Sequence, residues 1–370
     1  MNPSRARTIG SSAARSAGYR SEKSGRPSLM IEGAGSWDDI QRASDKLTSI
    51  DTRELELDFS HVSGRALGHQ IVGKWGPLLS NLLLRAQLRD VPIEVIAPSQ
   101  SAAAQFARSG LLFALARHGR VTAHGESRPF LTELNPWRND WQPVAPRSTL
   151  FEIPTEIDGV DPKRMGNKVV AFLNPAPSRI DVEARENAIY PWLRDLTKSN
   201  EYMDTSTRME ILRDISTITS ELLDNIRDHA DSSLSYMTLW SIGSGVNQSL
   251  QMCIVDNGKG IPESVEKRHT NVEAADYLLQ ALNGSLPRRS RGRGDGLAKV
   301  SRTTQKYGGN ILIATGPTAE GKSLLIDHDF SSSREIHAPT VENVGIIGTV
   351  VVAQLSIGKA LHKSQNRSDS

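Results

Sequence analysis

Residues 206–230 read "STRMEILRDISTITSELLDNIRDHA". Leu212, Ile215, Leu222 and Ile226 recur at helical spacing, which predicts an amphipathic helix of about six turns. A helix with one apolar stripe must bury it against a second layer. On the polar side, Glu221, Asn225 and Asp228 lie four and then three residues apart. That spacing puts a carboxylate, a carboxamide and a second carboxylate on one face. Taken alone, this is a solvated polar face. The segments that follow give it a second meaning.

After the helix come "SLSYMTLWSIG", a turn at "SGVNQ", and "SLQMCIVDNGKGIP", which read as a two-stranded hairpin. The second strand runs into Asp256, Asn257, Gly258, Lys259 and Gly260. A carboxylate at a strand end can accept a hydrogen bond from an exocyclic amine, and Gly258 and Gly260 let backbone approach a flat ligand. Further on, "RRSRGRGDGLAKVSRTTQKYGGNILIATG" carries Gly292, Gly294 and Gly296 in alternation just before a helical segment. Free amides of such a turn, aimed by a helix N-terminus, form a phosphate cradle. The last apolar segment, "VGIIGTVVVAQLSI", predicts a strand with Gly348-Thr349 at its centre.

In this order, the elements resemble the ATP-binding domain shared by DNA gyrase, the Hsp-type chaperones and the histidine kinases, the GHKL or Bergerat fold. "ELLDNIRDHA" is similar to its asparagine box. "VDNGKGIP" and "GRGDGLAKV" are similar to its two glycine boxes, and "GTVVV" to its final Thr-bearing strand. The resemblance covers residues 150–358 and implies an α+β sandwich that binds ATP with Mg²⁺. It implies that Glu221 acts as general base and that Asn225 holds Mg²⁺ between the phosphates. It puts Asp228 among the cofactor-binding residues. Asp256 is implied to accept the adenine amine, with Thr349 assisting through a water. Gly258 and Gly260 are implied to shape the adenine pocket, and Gly292, Gly294 and Gly296 to line the phosphates. Residues 263–291 correspond to a variable lid, whose Arg288, Arg289 and Arg291 either meet the γ-phosphate or are solvated.

A competing phosphate-loop pattern sits at "GPTAEGKS", residues 316–323. Gly316, Gly321, Lys322 and Ser323 fit Gly, four residues, Gly, Lys, Ser/Thr. A genuine loop of that kind leaves a strand and enters a helix. Here "LLIDHDFSSS" follows, which is short, apolar and alternating. The stretch therefore reads as a hairpin turn with Lys322 exposed.

The first third of the chain alternates strand and helix patterns, which implies a smaller α/β domain at 28–125. "LMIEG", "ELELDFS" and "VPIEVIAP" read as strands. "SWDDIQRASDKLTS", Ala66 to Asp90 (divided at Pro77) and "SQSAAAQFARSGLL" read as helices. That order resembles the STAS domain of anti-sigma-factor antagonists and implies docking on a protein partner. The Asp-Ser pair that accepts phosphate in that family is absent from "SHVSGRALGH"; Ser63 lies nearest and reads as an N-cap or loop serine. Residues 1–27 read as a disordered basic tail, 126–149 as a linker and 359–370 as a second tail. "TLFEIPTEI" and "KVVAFLN" open the larger domain as strands.

Lys and Arg number 44 against 42 Asp and Glu, a formal net charge of +2. That balance argues against a dedicated nucleic-acid or membrane-surface binder. The single cysteine, Cys253, lies in an apolar run and reads as a core thiol. One cysteine suits a reducing compartment, and with no apolar leader or spanning run the expected location is the cytoplasm. A homodimer is compatible with all of this. ATP binding leaves three functions open: a serine/threonine kinase similar to the anti-sigma factors, an ATPase-driven switch, and a soluble histidine kinase.

Overall fold

The computed structural model describes residues 204–358, apart from 233, 243–244, 267–272 and 287–294. Before 204 it describes strand backbones and the positions Gln41, Asp45, Leu78, Asn81 and Arg194. The expected tails at 1–27 and 359–370, and Ser63, lie outside the described residues.

Four short strands form a first sheet: β1 (Ser28–Met30), β2 (Leu55–Asp58), β3 (Ile93–Ile96) and β4 (Val121–His124). They are parallel and lie in chain order. Parallel neighbours need crossover connections. Gln41 and Asp45 are helical between β1 and β2, as are Leu78 and Asn81 between β2 and β3. β1, β2 and β3 fall within "LMIEG" and its flanks, "ELELDFS" and "VPIEVIAP", and β4 is a further strand.

The second sheet has nine strands, all antiparallel. They are β5 (Gln142–Pro143), β6 (Leu150–Ile153), β7 (Asn167–Leu173), β8 (Leu234–Ile242), β9 (Ser249–Asp256), β10 (Asn310–Gly316), β11 (Ser323–Asp329), β12 (Thr340–Glu342) and β13 (Gly348–Leu355). Their order across the sheet is β12-β11-β10-β13-β9-β8-β7-β6-β5. Two expectations need correction. The linker at 126–149 contains β5, a two-residue edge strand ending in proline. Pro143 donates no ladder hydrogen bond, so its place is the edge, and two residues carry no readable period. The last strand starts at Gly348 rather than running through it. Gly348 has φ +80°, a left-handed conformation that ends the ladder, and the Ile346 amide turns back onto the Val344 carbonyl at 2.8 Å. β13 lies in the middle of the sheet, between β9 and β10, not at its margin. β9, β10 and β13 are buried along nearly their whole length, which is why they read as unbroken apolar runs.

Among the described residues four helices accompany the sheet: α1 (Thr205–Asn225), α2 (Ile261–Glu266), α3 (Ala274–Asn283) and α4 (Gly296–Lys306). Asp204 caps α1 by accepting the Thr207 amide at 2.7 Å, satisfying one of the free N–H groups of the first turn. The apolar stripe of α1, including Ile211, Ile215, Ile218 and Leu222, joins one buried cluster with Met237, Met252, Ile254 and Ile313 of the sheet. α4 packs against both α1 and α3. At its end the Tyr307 hydroxyl donates to Asp214 at 3.0 Å, and Lys306 bonds Glu210 at 2.7 Å. α1 does not stop at a cap. It widens into a π turn, Ile226–Ala230, and ends at Asp231 with φ 48°. Such wide turns redirect the side chains they carry.

The phosphate-loop pattern is a hairpin turn. β10 and β11 are antiparallel neighbours on either side of it, and Ser323 opens a strand rather than a helix. Ser323 is buried; its hydroxyl donates to the Val344 carbonyl and accepts the Ile346 amide. Lys322 pairs with Glu320 at 2.7 Å at the surface. Lys322→Ala should therefore leave ATP binding within error in calorimetry. It should move stability by no more than about 0.5 kcal/mol, as at surface sites generally.

One buried polar side chain ties the early chain to the large sheet. Asn81 donates to the carbonyls of Asp256 at 2.9 Å and Ile347 at 2.7 Å, and its own oxygen accepts the Ile347 amide at 3.3 Å. It is 1% exposed, and Leu78, one turn earlier, is fully buried. Asn81→Ala leaves these backbone groups without their partner. The expected cost is about 1–3 kcal/mol of unfolding free energy in urea. Asn81→Asp should also destabilise, because it removes the donors.

Candidate functional site

The cavity at the end of α1 encloses about 340 Å³, within the range of small-ligand sites. Its walls come from α1 and the π turn, from the ends of β9 and β13, from α2 and α3, and from the start of α4. Glu221, Asn225, Asp228, Asp256, Gly296 and Thr349 all border it. Residues spread over more than a hundred positions are thus brought to one place. Gly292, Gly294 and the arginines at 288, 289 and 291 lie outside the described residues. Of the expected lid at 263–291, α2 reaches in from Ile261 and α3 supplies Tyr277 and Ala281.

The lining of the cavity includes the apolar Leu222, Ile254, Ile261 and Val351 together with one deeply buried carboxylate. Asp256, the last residue of β9, is 3% exposed. Its Oδ1 accepts the Gly258 amide at 2.9 Å, and the Thr349 amide donates to the same carboxylate. Neither donor carries charge. Burial pushes the carboxyl up to about 7 from its ordinary 3.8, and the two amide hydrogen bonds oppose that only partly. Because the folded value is the higher one, this group contributes its full stability below pH 3.8. That contribution is lost as pH rises through about 7. A buried acceptor with spare lone pairs against apolar walls suits a flat, amine-bearing ring.

The glycines near Asp256 are needed for close backbone packing. A Cβ on Gly258 would overlap the Ala230 carbonyl, and one on Gly260 would overlap Gly316. Neither glycine is among the residues that line the cavity; both sit where backbone packs directly on backbone. Thr349 contributes its amide to Asp256, while its hydroxyl shares a 3.1 Å hydrogen bond with that of Thr315. The Thr315 hydroxyl also accepts the Ile261 amide at 2.9 Å and donates to the Gly348 carbonyl at 3.1 Å. Thr315 thus fixes the start of α2 to the sheet, a role its place inside "NILIATG" did not signal.

A second group of lining residues is polar. Glu221 and Asn225 lie one helical turn apart on α1 and converge on Gly296, the first residue of α4. A Cβ built on Gly296 would stand 3.0 Å from Glu221 Oε2 and 3.5 Å from both polar atoms of the Asn225 carboxamide. The bare glycine leaves that space open. Lys299, in the first turn of α4, bonds Glu221 Oε1. Sequence reasoning missed Lys299, because its partner lies 78 positions earlier and only the α1–α4 packing brings the two together. At the rim, Asp228 is paired with Arg227 at 2.9 Å, and Arg227 also reaches Asp224 at 2.9 Å. The hydrogen bond that Arg227 donates to Asp228 is the main cause that raises its guanidinium above the ordinary value.

Comparison with known proteins adds an independent observation. Residues 211–333 match the family model of histidine kinase-, DNA gyrase B-, and HSP90-like ATPase. The match spans a third of the chain, from the apolar stripe of α1 to the segment after β11, and contains Glu221, Asn225, Asp256 and Gly296. A GHKL-type domain is therefore present here, in an α/β arrangement of antiparallel sheet and helices. Domains of this type bind ATP, usually with Mg²⁺. No match to a curated protein was found. The match does not reach β13 with Thr349, nor residues 28–125, and it gives no support to the expected likeness of that region to a STAS domain.

The residues present fit both groups. The apolar lining residues together with the buried Asp256 suit adenine. The opening between Gly296, Glu221 and Asn225 suits phosphate oxygens at the start of α4. Among the described residues no cluster of three or more His, Cys, Asp or Glu could hold a metal. Mg²⁺ commonly draws most of its shell from substrate phosphates and waters, so a site with few protein ligands, such as the Asn225 carboxamide oxygen, would be compatible with it.

An ionised Asp256 is the form that accepts an adenine amine. Below pH 7 the unliganded carboxyl is mostly protonated, so binding should expel its proton. Calorimetry of ATP binding in buffers of different ionisation enthalpy should show about one more proton released at pH 6 by the wild type than by Asp256→Asn. The difference should vanish at pH 8. Asp256→Asn should also weaken ATP roughly ten- to a hundredfold, since one buried partner is worth about 1–3 kcal/mol.

Proposed function

We propose that this chain is an ATP-binding regulatory protein that turns ATP over, as an ATPase or as a serine/threonine kinase similar to the anti-sigma factors. The observation that carries the reading is the convergence of Glu221 and Asn225 on the open face of Gly296, in the same cavity as the buried Asp256. Bound Mg²⁺ would offset phosphate charge while held by Asn225. The remaining work falls to the chain. Asp256 holds the adenine and so sets the nucleotide's depth. The first amides of α4 face the phosphate end. Glu221 Oε2 orients a water or a hydroxyl and takes its proton as the new bond to the γ-phosphorus forms and the bond to the β–γ bridging oxygen breaks, ADP being the leaving group.

A carboxylate that faces a triphosphate does not favour ground-state binding, which supports a role in the chemical step. That is also what separates this reading from a nucleotide-driven switch without phosphotransfer. The parallel sheet in the first third of the chain, with its resemblance to STAS domains, supports a protein partner as target or regulator. Cytoplasmic residence fits the absence, among the described residues, of a helix long and apolar enough to cross a membrane.

Incubating the pure chain with γ-labelled ATP decides between label on protein, label as free phosphate, and no transfer. Glu221→Ala should retain Mg·ATP binding and lose turnover by about 10²–10⁴-fold, the usual range for a general base. Asn225→Ala should lose both affinity and turnover. Normal turnover in folded Glu221→Ala would remove the base from this account.

A further inference from the structure

Glu221 does not face the cavity alone. Lys299 Nζ bonds its Oε1, and the two side chains are 39% and 23% exposed. The other oxygen, Oε2, stays on the side of Gly296 and Asn225. Lys299 thus takes one carboxylate oxygen and leaves the second toward the cavity.

Lys299 is in the first turn of α4, where the helix dipole disfavours a cation. Its position gives nothing to the stability of its own helix. A half-exposed ion pair also contributes little to folding. What the pair does fix is geometry. Glu221 has several rotatable bonds, and a carboxylate free to swing seldom presents one oxygen to a reacting atom. Small misplacements of such a group can lower a rate by about two orders of magnitude.

We propose that Lys299 is the positioning residue for Glu221. By holding Oε1 it restrains the side chain so that Oε2 faces the attacking water or hydroxyl. The inference rests on the reading of Glu221 as the base. No bond to Lys299 forms or breaks during the reaction, and its ammonium keeps its protons.

The test combines turnover, binding and geometry. Lys299→Met should lower kcat about tenfold or more while the Kd of a non-hydrolysable ATP analogue moves by less than about threefold. Lys299→Arg, which keeps the donor, should recover most of the loss. In the Glu221→Ala background, adding Lys299→Met should cause no further loss, since residues that act through one another are not additive. A crystal structure with the analogue bound should show Lys299 still on Glu221. Wild-type kcat in Lys299→Met overturns the inference. So does Lys299 found on the γ-phosphate, or equal weakening of analogue binding in both backgrounds. If Glu221→Ala alone leaves turnover intact, the base reading has failed and the inference falls with it. If Glu221→Ala abolishes turnover and Lys299→Met changes nothing, only the inference has failed.

Discussion

The join between the end of β9 and the start of β13 holds one carboxylate out of water without a cation. Asp256 is ionisable, 3% exposed, and supported by two backbone amides. Every nearby feature serves that placement. Gly348 has a left-handed backbone, and a Cβ there would collide with Asp256 itself, so both conformation and space call for glycine. Gly258 stays bare so that the chain can fold back against Ala230. Asn81, from far earlier in the sequence, holds the Asp256 carbonyl and Ile347 together. A buried polar group without partners is costly. An account in which adenine supplies the missing donor explains why that cost is tolerated.

α1 does two jobs with its two faces. Ile211, Ile215, Ile218 and Leu222 bind it to the sheet, and that burial fixes its axis and rotation. Once those are fixed, Glu221 and Asn225 have no choice but to face the start of α4. The π turn at Ile226–Ala230 then carries Asp228 to the rim, where Arg227 takes it up. The polar end of the site is therefore a consequence of core packing. The depth of the cavity, by contrast, depends on the sheet join around Asp256.

Much of this was legible in the sequence because it is local. The helical period of 206–230, the hairpin before Asp256 and the strand after Gly321 all follow from spacing and turn chemistry. Reading "GPTAEGKS" as a turn rested on the alternation of the residues after Ser323, and the β10–β11 pairing agrees with it. What was not legible depends on tertiary contact. β5 is too short to carry a period. The Gly348 boundary goes with its left-handed backbone and its close approach to Asp256, neither of which its neighbours in sequence show. Lys299 reads as an ordinary helix residue until α1 lies beside α4, and Asn81 has no local mark at all. Gly292 and Gly294, read as phosphate-lining, lie outside the described residues, so only Gly296 of that trio has an observed place.

Base selectivity tests the central assignment most directly. Titrate ATP and GTP, with Mg²⁺, into the pure chain at pH 8, where Asp256 is ionised. An ionised carboxylate accepts the adenine amine but opposes the carbonyl oxygen that guanine presents at the same position. The account predicts that ATP binds at least about tenfold more tightly than GTP, the effect of one mispaired buried polar contact. It also predicts that Asp256→Asn erases most of the difference. Equal affinity for the two nucleotides, or no binding of either to the folded chain, would contradict it.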